Sequence, residues 1–492
     1  MPNTEMNTAN QLSQYHDHLF HQSRLLLTSP IALSIKNSAK FLIKCTGIQL
    51  LSIFLMLLLT LFFQINAHAQ PGPEQRIEAS DGHIRDRFGH AIDIEGDFAV
   101  IGAPGFDVPH DPAPGTHLRA GAAYVFRYVG GQWIEFQKLT AQTPSQDDFF
   151  GMDVAIKRNF IVIGAPGDDE ATGGATWTDS GAAYIFEWNG TDWQQIEKLL
   201  PDDSATSAAI QMGTSVDIDI SIPDVGNLPE QTIVVVGAPL FGGSHGVIFL
   251  YRQANDLLWE RLGDLQDDDT ATDERGHLGT SIALFGDLLL GGAPNHQFGQ
   301  GAAYPFNRDQ IISSWVQSTP IEPASLLSSD QFGISSAVGR IGDEYIAGVG
   351  ASGVSANHIG RVFIYDLMGE HEFTELGTQK YGHSVAIHQN HLAIGAFGDD
   401  STATNAGAVF LKIRDGSGVW QDNGMMTATD ADVDKQFGLS VALDDGVLAI
   451  GAPSFNTIPR SGAAYFYTSL IFSNGFDANS NTTADSTIPC CD

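Results

Sequence analysis

The sequence predicts an all-β fold, namely a seven-bladed β-propeller whose blades are four-stranded antiparallel sheets. Three observations predict it: a pair of glycine motifs that recurs seven times, four strand patterns in most repeats, and a strand pattern near the N-terminus that matches the one missing from the last repeat. Because a single repeat of this kind cannot bury its apolar face alone, neighbouring repeats have to stack on one another.

Each repeat opens with an aromatic or apolar residue followed by glycine, and a short apolar stretch then ends in Gly-Ala, followed in five repeats by proline. Phe88 and Phe437, in the first and last repeats, lie 437 − 88 = 349 residues apart, so the period averages about 58 residues. A solenoid of strands would need shorter and more uniform rungs, and a propeller is therefore favoured. The seven pairs are Phe88-Gly89 with Gly102-Ala103-Pro104, Phe150-Gly151 with Gly164-Ala165-Pro166, Met212-Gly213 with Gly237-Ala238-Pro239, Leu278-Gly279 with Gly292-Ala293-Pro294, Phe332-Gly333 with Gly350-Ala351-Ser352, Tyr381-Gly382 with Gly395-Ala396-Phe397, and Phe437-Gly438 with Gly451-Ala452-Pro453.

The second repeat shows the four strands most clearly. Gly151–Ile156 alternates apolar and polar residues, and Phe160–Ile163 is a continuous apolar run typical of a buried strand. Gly181–Phe186 forms the third pattern, and Asn189-Gly190, a strong hairpin dipeptide, leads to the fourth at Trp193–Leu199. Other repeats follow the same order, with the Gly-Ala-Ala-Tyr start of the third strand recurring at Gly121, Gly301 and Gly462 and an aromatic residue in the fourth strand recurring at Trp133, Trp259, Trp315, Phe373 and Trp420.

The seventh repeat has three strand patterns but no tryptophan-containing fourth strand. Residues 75–80, ahead of the first repeat, resemble the end of a fourth strand such as Phe136–Thr140. The sequence therefore predicts that residues 75–80 complete the last blade and close the ring.

The composition limits which partners the protein can bind and where it can form disulfides. The chain has 58 acidic and 24 basic residues and a formal net charge of −34, which argues against binding nucleic acid or anionic lipid because the field repels phosphate. Of three cysteines, Cys45 precedes the apolar N-terminal run and Cys490 and Cys491 end the chain. The propeller body is thus predicted to be free of disulfides.

The N-terminal 69 residues are predicted to be an export signal. Residues 48–65 are almost wholly apolar, and Ala67-His68-Ala69 matches an A-x-A cleavage pattern. The alternative is an uncleaved membrane anchor, since the apolar run is long for a signal core. We therefore expect a signal peptide at 1–69, the propeller at 70–470, a polar and disordered tail at 471–492, and a secreted or cell-surface location.

The recurring Phe-Gly and Gly-Ala-Pro motifs resemble the FG-GAP repeats of the integrin α-subunit propeller, and most closely those of bacterial secreted proteins. The resemblance covers residues 75–470 and implies an extracellular recognition role such as cell adhesion. It also implies calcium, which integrin-type repeats bind through a D-x-[DN]-x-D-G loop between the first two strands. That loop is missing from most repeats, since turns such as Lys157-Arg158-Asn159 are too short. The third repeat has an expanded hairpin, but its acidic residues are irregularly spaced, so the resemblance assigns calcium to no position of this chain.

Acidic clusters concentrate in the connections between strands 2 and 3 and between strands 4 and 1, which leave a propeller on the same face. Two interpretations stay open: charge that keeps the protein soluble, and Ca²⁺ held between neighbouring loops, because paired carboxylates relieve their repulsion by binding a divalent ion. The candidate metal ligands lie in two Gly-Asp-Asp turns and one Asp-x-Asp-x-Asp run, and are Asp168, Asp169, Asp399, Asp400, Asp430, Asp432 and Asp434.

The sequence shows no catalytic constellation. Gly242–Gly246 formally matches G-x-S-x-G, but Gly246 starts a third strand where a nucleophile elbow needs a helix. His388-x-x-His391 falls at a turn between strands 1 and 2. Histidines at such a turn are more often solvated than bound to a metal.

We therefore expect no enzyme but a recognition or adhesion module that binds an extracellular protein or carbohydrate through its acidic, loop-rich face, assisted by Ca²⁺. The alternative is an enzyme acting on extracellular polysaccharide with a metal on that face. The sequence indicates no oligomeric state.

Overall fold

The structure is a computed structural model that describes residues 74–109, 116–172, 175–201, 209–221, 230–253, 258–267, 275–309, 314–353, 359–366, 371–454 and 461–468. All of these lie in the compact unit Ala69–Asp492, and the predicted signal segment and polar tail fall outside them. Within these ranges, no helix is long and apolar enough to cross a membrane.

Seven four-stranded antiparallel sheets form the blades of a propeller, as the sequence predicts. The first strand of each blade contacts the first strands of both neighbouring blades, so these strands form the inner ring. In blade order the first strands are Ile92–Glu95, Val154–Lys157, Val216–Ser221, Ser281–Phe285, Phe332–Ile341, Tyr381–His388 and Ser440–Asp444. The second strands are Phe98–Ala103, Phe160–Ala165, Gln231–Ala238, Leu288–Ala293, Glu344–Ala351, His391–Ala396 and Val447–Ala452.

The outer half of each blade consists of the third and fourth strands. The third strands are Ala122–Val129, Ala182–Trp188, Val247–Gln253, Ala302–Asp309, Ile359–Asp366, Ala408–Arg414 and Ala463–Tyr467. The fourth strands are Gln132–Leu139, Trp193–Leu199, Trp259–Leu265, Ser314–Gln317, His371–Gln379, Trp420–Met426 and, for blade 7, Glu74–Ile77. Connections between strands 2 and 3 also contain the short hairpins Val108–Pro109 with Thr116–His117 and Glu170–Thr172 with Ala175–Trp177, and the helical turns Phe241–Ser244 and His296–Gly299.

The N-terminal strand closes the ring, which confirms the prediction, although it ends at Ile77 and not at residue 80. It pairs antiparallel with the third strand of blade 7 over Glu74–Ile77. The side chain of Gln75 donates to the Trp133 carbonyl at 2.7 Å and accepts from the Trp133 N–H at 2.8 Å. Gln137, in the fourth strand of blade 1, makes the same two bonds to Trp193 in blade 2, both at 2.8 Å. The closing strand thus repeats the role of an ordinary fourth strand.

The two glycine motifs meet where one blade packs on the next. Gly151 lies at φ +88° and its N–H donates to the carbonyl of Gly164 in the same blade at 3.0 Å. Gly164 in turn approaches the next blade so closely that a Cβ there would lie 2.1 Å from the Gly213 carbonyl oxygen. The glycines of the repeated Phe-Gly and Gly-Ala-Pro motifs therefore allow the backbones of successive blades to approach closely.

The hydrophobic core lies between neighbouring blades. All six residues of the second strand Phe160–Ala165 are buried, as expected for its uninterrupted apolar run. Phe150, which opens the second repeat, is fully buried with its ring 5.3 Å from that of Tyr184 in an edge-to-face arrangement. Phe150 also belongs to one core cluster with Val100 and Val125 of blade 1, so it anchors the interface between these two blades.

Serine hydroxyls link the inner ends of five successive pairs of blades. In blades 3 to 7 the second residue after the opening glycine is a serine that donates to the carbonyl of the opening glycine in the next blade. Ser440 makes this bond across the closure, to Gly89 at 3.0 Å. The others are Ser215 to Gly279, Ser281 to Gly333, Ser335 to Gly382 and Ser384 to Gly438.

Two aspartates also join blades by accepting N–H groups from the next blade: Asp93 on the first strand of blade 1, and Asp153 directly before the first strand of blade 2. Asp93 accepts from Ile156 at 2.8 Å, and Asp153 accepts from Val216 at 2.8 Å. Burial raises the pKa of Asp93 to about 7 and that of Asp153 to about 6, against the effect of the N–H bonds. The alternation of apolar and polar residues along a strand would leave these aspartates in solvent. Instead they hold neighbouring blades together.

Connections on one side of the propeller bond to each other. The 2–3 connection of a blade accepts N–H groups from the 4–1 connection that enters the next blade, as in Asp147 to Leu118, Gln331 to Gly299 and Asp434 to Thr404, each 2.9 Å between nitrogen and oxygen. We call this side, formed by the 2–3 and 4–1 connections, the loop face. The opposite side, formed by the 1–2 and 3–4 turns, is the turn face.

Candidate functional site

Asp168, the first predicted metal ligand, is buried on the loop face. Only 4% of its side chain is exposed, and it accepts from the Lys198 ammonium at 2.8 Å and from the Tyr184 hydroxyl. Lys198 and Tyr184 are cross-strand partners on the fourth and third strands of blade 2. Both oxygens of Asp168 therefore bind side chains of its own blade.

Asp430 has an equivalent environment in blade 7. It accepts from the Tyr465 hydroxyl at 2.7 Å and lies 3.1 Å from the Arg76 guanidinium. Although partial burial acts to raise the pKa of Asp430, hydrogen bonds from Lys435 and Tyr465 give a net lowering. A tyrosine, a cation and an aspartate thus recur together, where the sequence indicated only the aspartate.

Asp169 and Asp400 are exposed and close their own loops. Asp169 accepts from the Asp179 N–H at 2.9 Å, and Asp400 accepts from the Asn405 N–H at 2.7 Å. Both residues follow the buried aspartate of a Gly-Asp-Asp turn, so the two turns match in structure as they do in sequence. Each residue uses one carboxylate oxygen, Oδ1, for its loop.

The remaining three predicted ligands also accept hydrogen bonds within the loop face. Asp399 is 2% exposed and accepts from the Ser401 N–H at 2.8 Å. Asp432 accepts from the Val433 N–H at 2.8 Å, and Asp434 accepts from the Asn405 amide at 2.8 Å. Among the residues that the structure describes, no three of the seven predicted ligands bring ligand atoms within 4.8 Å of one another. Calcium binding by these residues stays a prediction.

Asp148, in the loop that enters blade 2, is a buried carboxylate of this face. It is 1% exposed, and its Oδ1 is buried without a hydrogen-bond partner. Burial raises the pKa of Asp148 to about 7, and although the Ser145 N–H lowers it, the nearby charge of Asp168 raises it further. The folded protein therefore holds a proton here over a pH range in which the unfolded chain has lost it.

We expect Asp148→Asn to stabilise the protein by on the order of 2 kcal/mol at pH 8 and hardly at all at pH 4. The unfolded carboxyl ionises near its model value of 3.8, while the folded one stays protonated up to about pH 7. Its contribution to wild-type stability therefore falls as the pH rises between those values. Urea unfolding at several pH values measures this, with the exposed turn residue Asp97→Asn as the control. An equal effect of Asp148→Asn at pH 4 and pH 8 would contradict the assignment.

The loop face also exposes large apolar side chains, which the sequence analysis missed. Phe298 is 85% exposed and Leu327 is 62% exposed. Phe298 lies at φ +59° in the helical turn His296–Gly299, and the carbonyl of Gly299 accepts from Gln331, in the loop that contains Leu327. The two side chains therefore project from adjoining, hydrogen-bonded loops. Ile84, Leu118 and Val433, on the same face, are 47%, 47% and 45% exposed.

A cluster of a histidine and two carboxylates lies on the turn face. His388, at the end of the first strand of blade 6, faces Asp444 and Asp445 in the next hairpin of the ring. Within the described part of the chain, these are the only three histidine, cysteine or acidic residues whose ligand atoms all lie within 4.8 Å of one another. The sequence signal was the pair His388-x-x-His391, but its carboxylate partners are about 56 residues away and could not be assigned to it from spacing.

One protein-family model matches parts of the chain. The model of the FG-GAP repeat matches residues 72–126, 133–186, 377–411 and 420–467, which fall mainly in blades 1, 2, 6 and 7. No curated protein matches the chain. In blades 3 and 4, which lie outside these matches, Met212 and Leu278 stand where the first two repeats have phenylalanine. The FG-GAP repeat model thus matches segments of blades 1, 2, 6 and 7 of this seven-bladed β-propeller.

Proposed function

We propose that this protein is a secreted or cell-surface binding module that recognises an extracellular protein or carbohydrate through the loop face. One observation carries the proposal: Phe298 and Leu327 are exposed on adjoining loops that are hydrogen-bonded to each other. Exposed apolar side chains that share a surface mark interaction sites more often than isolated ones do. An FG-GAP propeller is a fold typical of ligand-binding modules.

The charge of the loop face limits the classes of ligand that it can bind. The apolar side chains stand on a face that also carries the exposed carboxylates of Asp169 and Asp400, in a chain of net charge −34. Such a surface favours a partner that combines an apolar patch with basic groups, or a neutral sugar that stacks on the Phe298 ring. It disfavours polyanions, since their charge repels the same field.

Recognition suits the chemistry of this face better than catalysis does. The tyrosine, lysine and arginine groups around Asp168 and Asp430 hold those carboxylates against the blades, which suits a rigid platform for binding. We propose that calcium binds at Asp169 and Asp400, because each carboxylate is exposed and uses Oδ1 to close its loop. A Ca²⁺ ion would there meet the hard oxygen ligands that it prefers.

Leu327→Ser on the loop face, compared with Leu258→Ser on the turn face, tests the proposal. Both leucines are 62% exposed, so the two variants lose the same apolar surface from opposite sides. After glycan and protein arrays identify a ligand of the wild type, we expect Leu327→Ser to weaken binding about tenfold or more and Leu258→Ser to leave it unchanged. Equal losses in the two variants would contradict a loop-face site.

The calcium part of the proposal is tested separately. The same binding assay is run in EDTA and in millimolar Ca²⁺, with Asp169→Asn and Asp400→Asn beside the wild type. If calcium organises these loops, its addition strengthens binding by the wild type and has less effect on the variants. Binding that is the same in EDTA and in Ca²⁺ removes calcium and leaves the loop face as a metal-free surface.

A further inference from the structure

The 1–2 hairpins of blades 6 and 7 bring a histidine and two carboxylates together on the turn face, away from the surface proposed for ligand binding. The blade 6 hairpin runs from His388 to His391 through a two-residue turn, and the blade 7 hairpin runs from Asp444 to Val447. The Asp445 N–H points at His388 Nε2, 3.4 Å away, so the two turns adjoin. This cluster is independent of the acidic loops considered above.

The distances place one imidazole between two carboxylates. His388 Nε2 is 3.3 Å from Asp445 Oδ1, and His388 Nδ1 is 3.6 Å from Asp444 Oδ1. Ligand atoms around a tetrahedral metal, each about 2.1 Å from it, are about 3.4 Å apart. One ligand atom from each of the three residues already lies within 4.8 Å of the other two, so a metal needs only small side-chain movements to bind them.

A second contact orients one of the carboxylates. Asp444 Oδ2 accepts from the Gly96 N–H of blade 1 at 2.7 Å, which leaves Oδ1 turned toward His388. Hydrogen bonds of this kind hold the ligating groups of metal sites in position. Access is open, since the side chain of His388 is 29% exposed and that of Asp445 is 79% exposed.

The other blade junctions show what is special about His388. At the same position, six residues after the opening glycine, Asp219 and Asp444 each accept the turn N–H of the following blade at 2.7 Å. Glu95 does the same for Arg158. A carboxylate is therefore sufficient to join two turns, and the histidine between blades 6 and 7 adds a nitrogen ligand beside two acids. Its cross-strand partner, His391, is a second imidazole of the same hairpin.

We propose that His388, Asp444 and Asp445 form a binding site for a divalent first-row transition metal, with Zn²⁺ as the reference ion, that joins the turns of blades 6 and 7. One imidazole and two carboxylates match the nitrogen and oxygen ligands of zinc, whereas Ca²⁺ takes six to eight oxygens. Water supplies the fourth ligand. The bound metal connects the blade that is completed by the N-terminal strand to the blade before it.

The test uses the protein as purified from its producing cells, stripped with EDTA and titrated calorimetrically with ZnCl₂. We expect one saturable Zn²⁺ site per chain, a rise in melting temperature on binding, and a loss of affinity of about tenfold or more in His388→Asn and Asp445→Asn. Asp445 is largely exposed, so its variant reports on the site even if His388→Asn folds poorly. His83→Asn, which removes an exposed histidine elsewhere, should bind zinc like the wild type.

Three outcomes would overturn the proposal. The first is the absence of saturable zinc binding to the wild type. The second is unchanged affinity in both His388→Asn and Asp445→Asn, which would place the zinc at other ligands such as Cys490 and Cys491. The third is displacement of the zinc by an equal concentration of Ca²⁺, which would mean that the site selects hard oxygen-binding cations.

Discussion

Replacing Ile77 by aspartate is expected to destabilise the propeller by about 4 kcal/mol, more than any exposed substitution. Ile77 ends the N-terminal strand, is 8% exposed, and packs in one cluster with Phe466 of blade 7 and Trp133 of blade 1. The substitution removes this apolar contact and places a charge at the closure of the ring. Urea unfolding of the variant and the wild type measures the difference.

Ile134→Asp is the matched control. Ile134 lies in the fourth strand of blade 1 and is 52% exposed, so the same change in chemistry there should cost less than about 1 kcal/mol. Similar losses in the two variants would mean that the closing strand contributes no more to the fold than a surface position does. The sequence-based prediction of closure would then be right in topology but unimportant for stability.

The second large effect is expected for Gly164→Ala, a loss of about 3 kcal/mol or more. A Cβ at Gly164 would lie 2.1 Å from the carbonyl oxygen and 2.9 Å from the carbonyl carbon of Gly213 in the next blade. Because both atoms belong to the backbone, no side-chain rotation can relieve the clash, and blades 2 and 3 have to separate. The free energy of unfolding measures this loss.

Gly416→Ala provides the control, since a Cβ there meets no atom within 4 Å and its φ is not in the left-handed region. We expect this variant to be as stable as the wild type or slightly more so, because alanine restricts the unfolded chain. If Gly164→Ala were equally neutral, the motif glycines would not be needed for the close approach of blades.

The sequence predicts the fold because the constraint that creates it is local and repeated. The motif glycines, the Gly-Ala-Ala-Tyr strand and the fourth-strand tryptophans each occupy the place that their spacing indicates. Closure by the N-terminal strand was also predictable, since Gln75 and Gln137 occupy equivalent positions before the next tryptophan-bearing strand. Because the same pattern occurs several times in the sequence, one irregular repeat does not hide it.

The site was harder to predict because its contacts join residues that are distant in sequence. Spacing identifies Asp168 as part of an acidic loop, but its partner Lys198 is 30 residues away. The carboxylate of Asp93 similarly reaches Ile156 across 63 residues. Whether such a carboxylate meets an ammonium, an N–H group or a metal depends on how strands register between blades, and composition carries no information about that register.

The closing strand also determines the order in which the molecule can be completed. Glu74 bonds Tyr467 at 2.6 Å across 393 residues of chain, whereas successive blades are joined by bonds such as that from Gln137 to Trp193 across 56 residues. Six interfaces can therefore form as synthesis proceeds, but the strand that is made first must wait for the third strand of blade 7, which is made last. Until then the outer edge of that strand is unpaired, and a second chain in the same state offers it an identical strand. Conditions that crowd unfinished chains together should for this reason favour exchange of N-terminal strands between molecules.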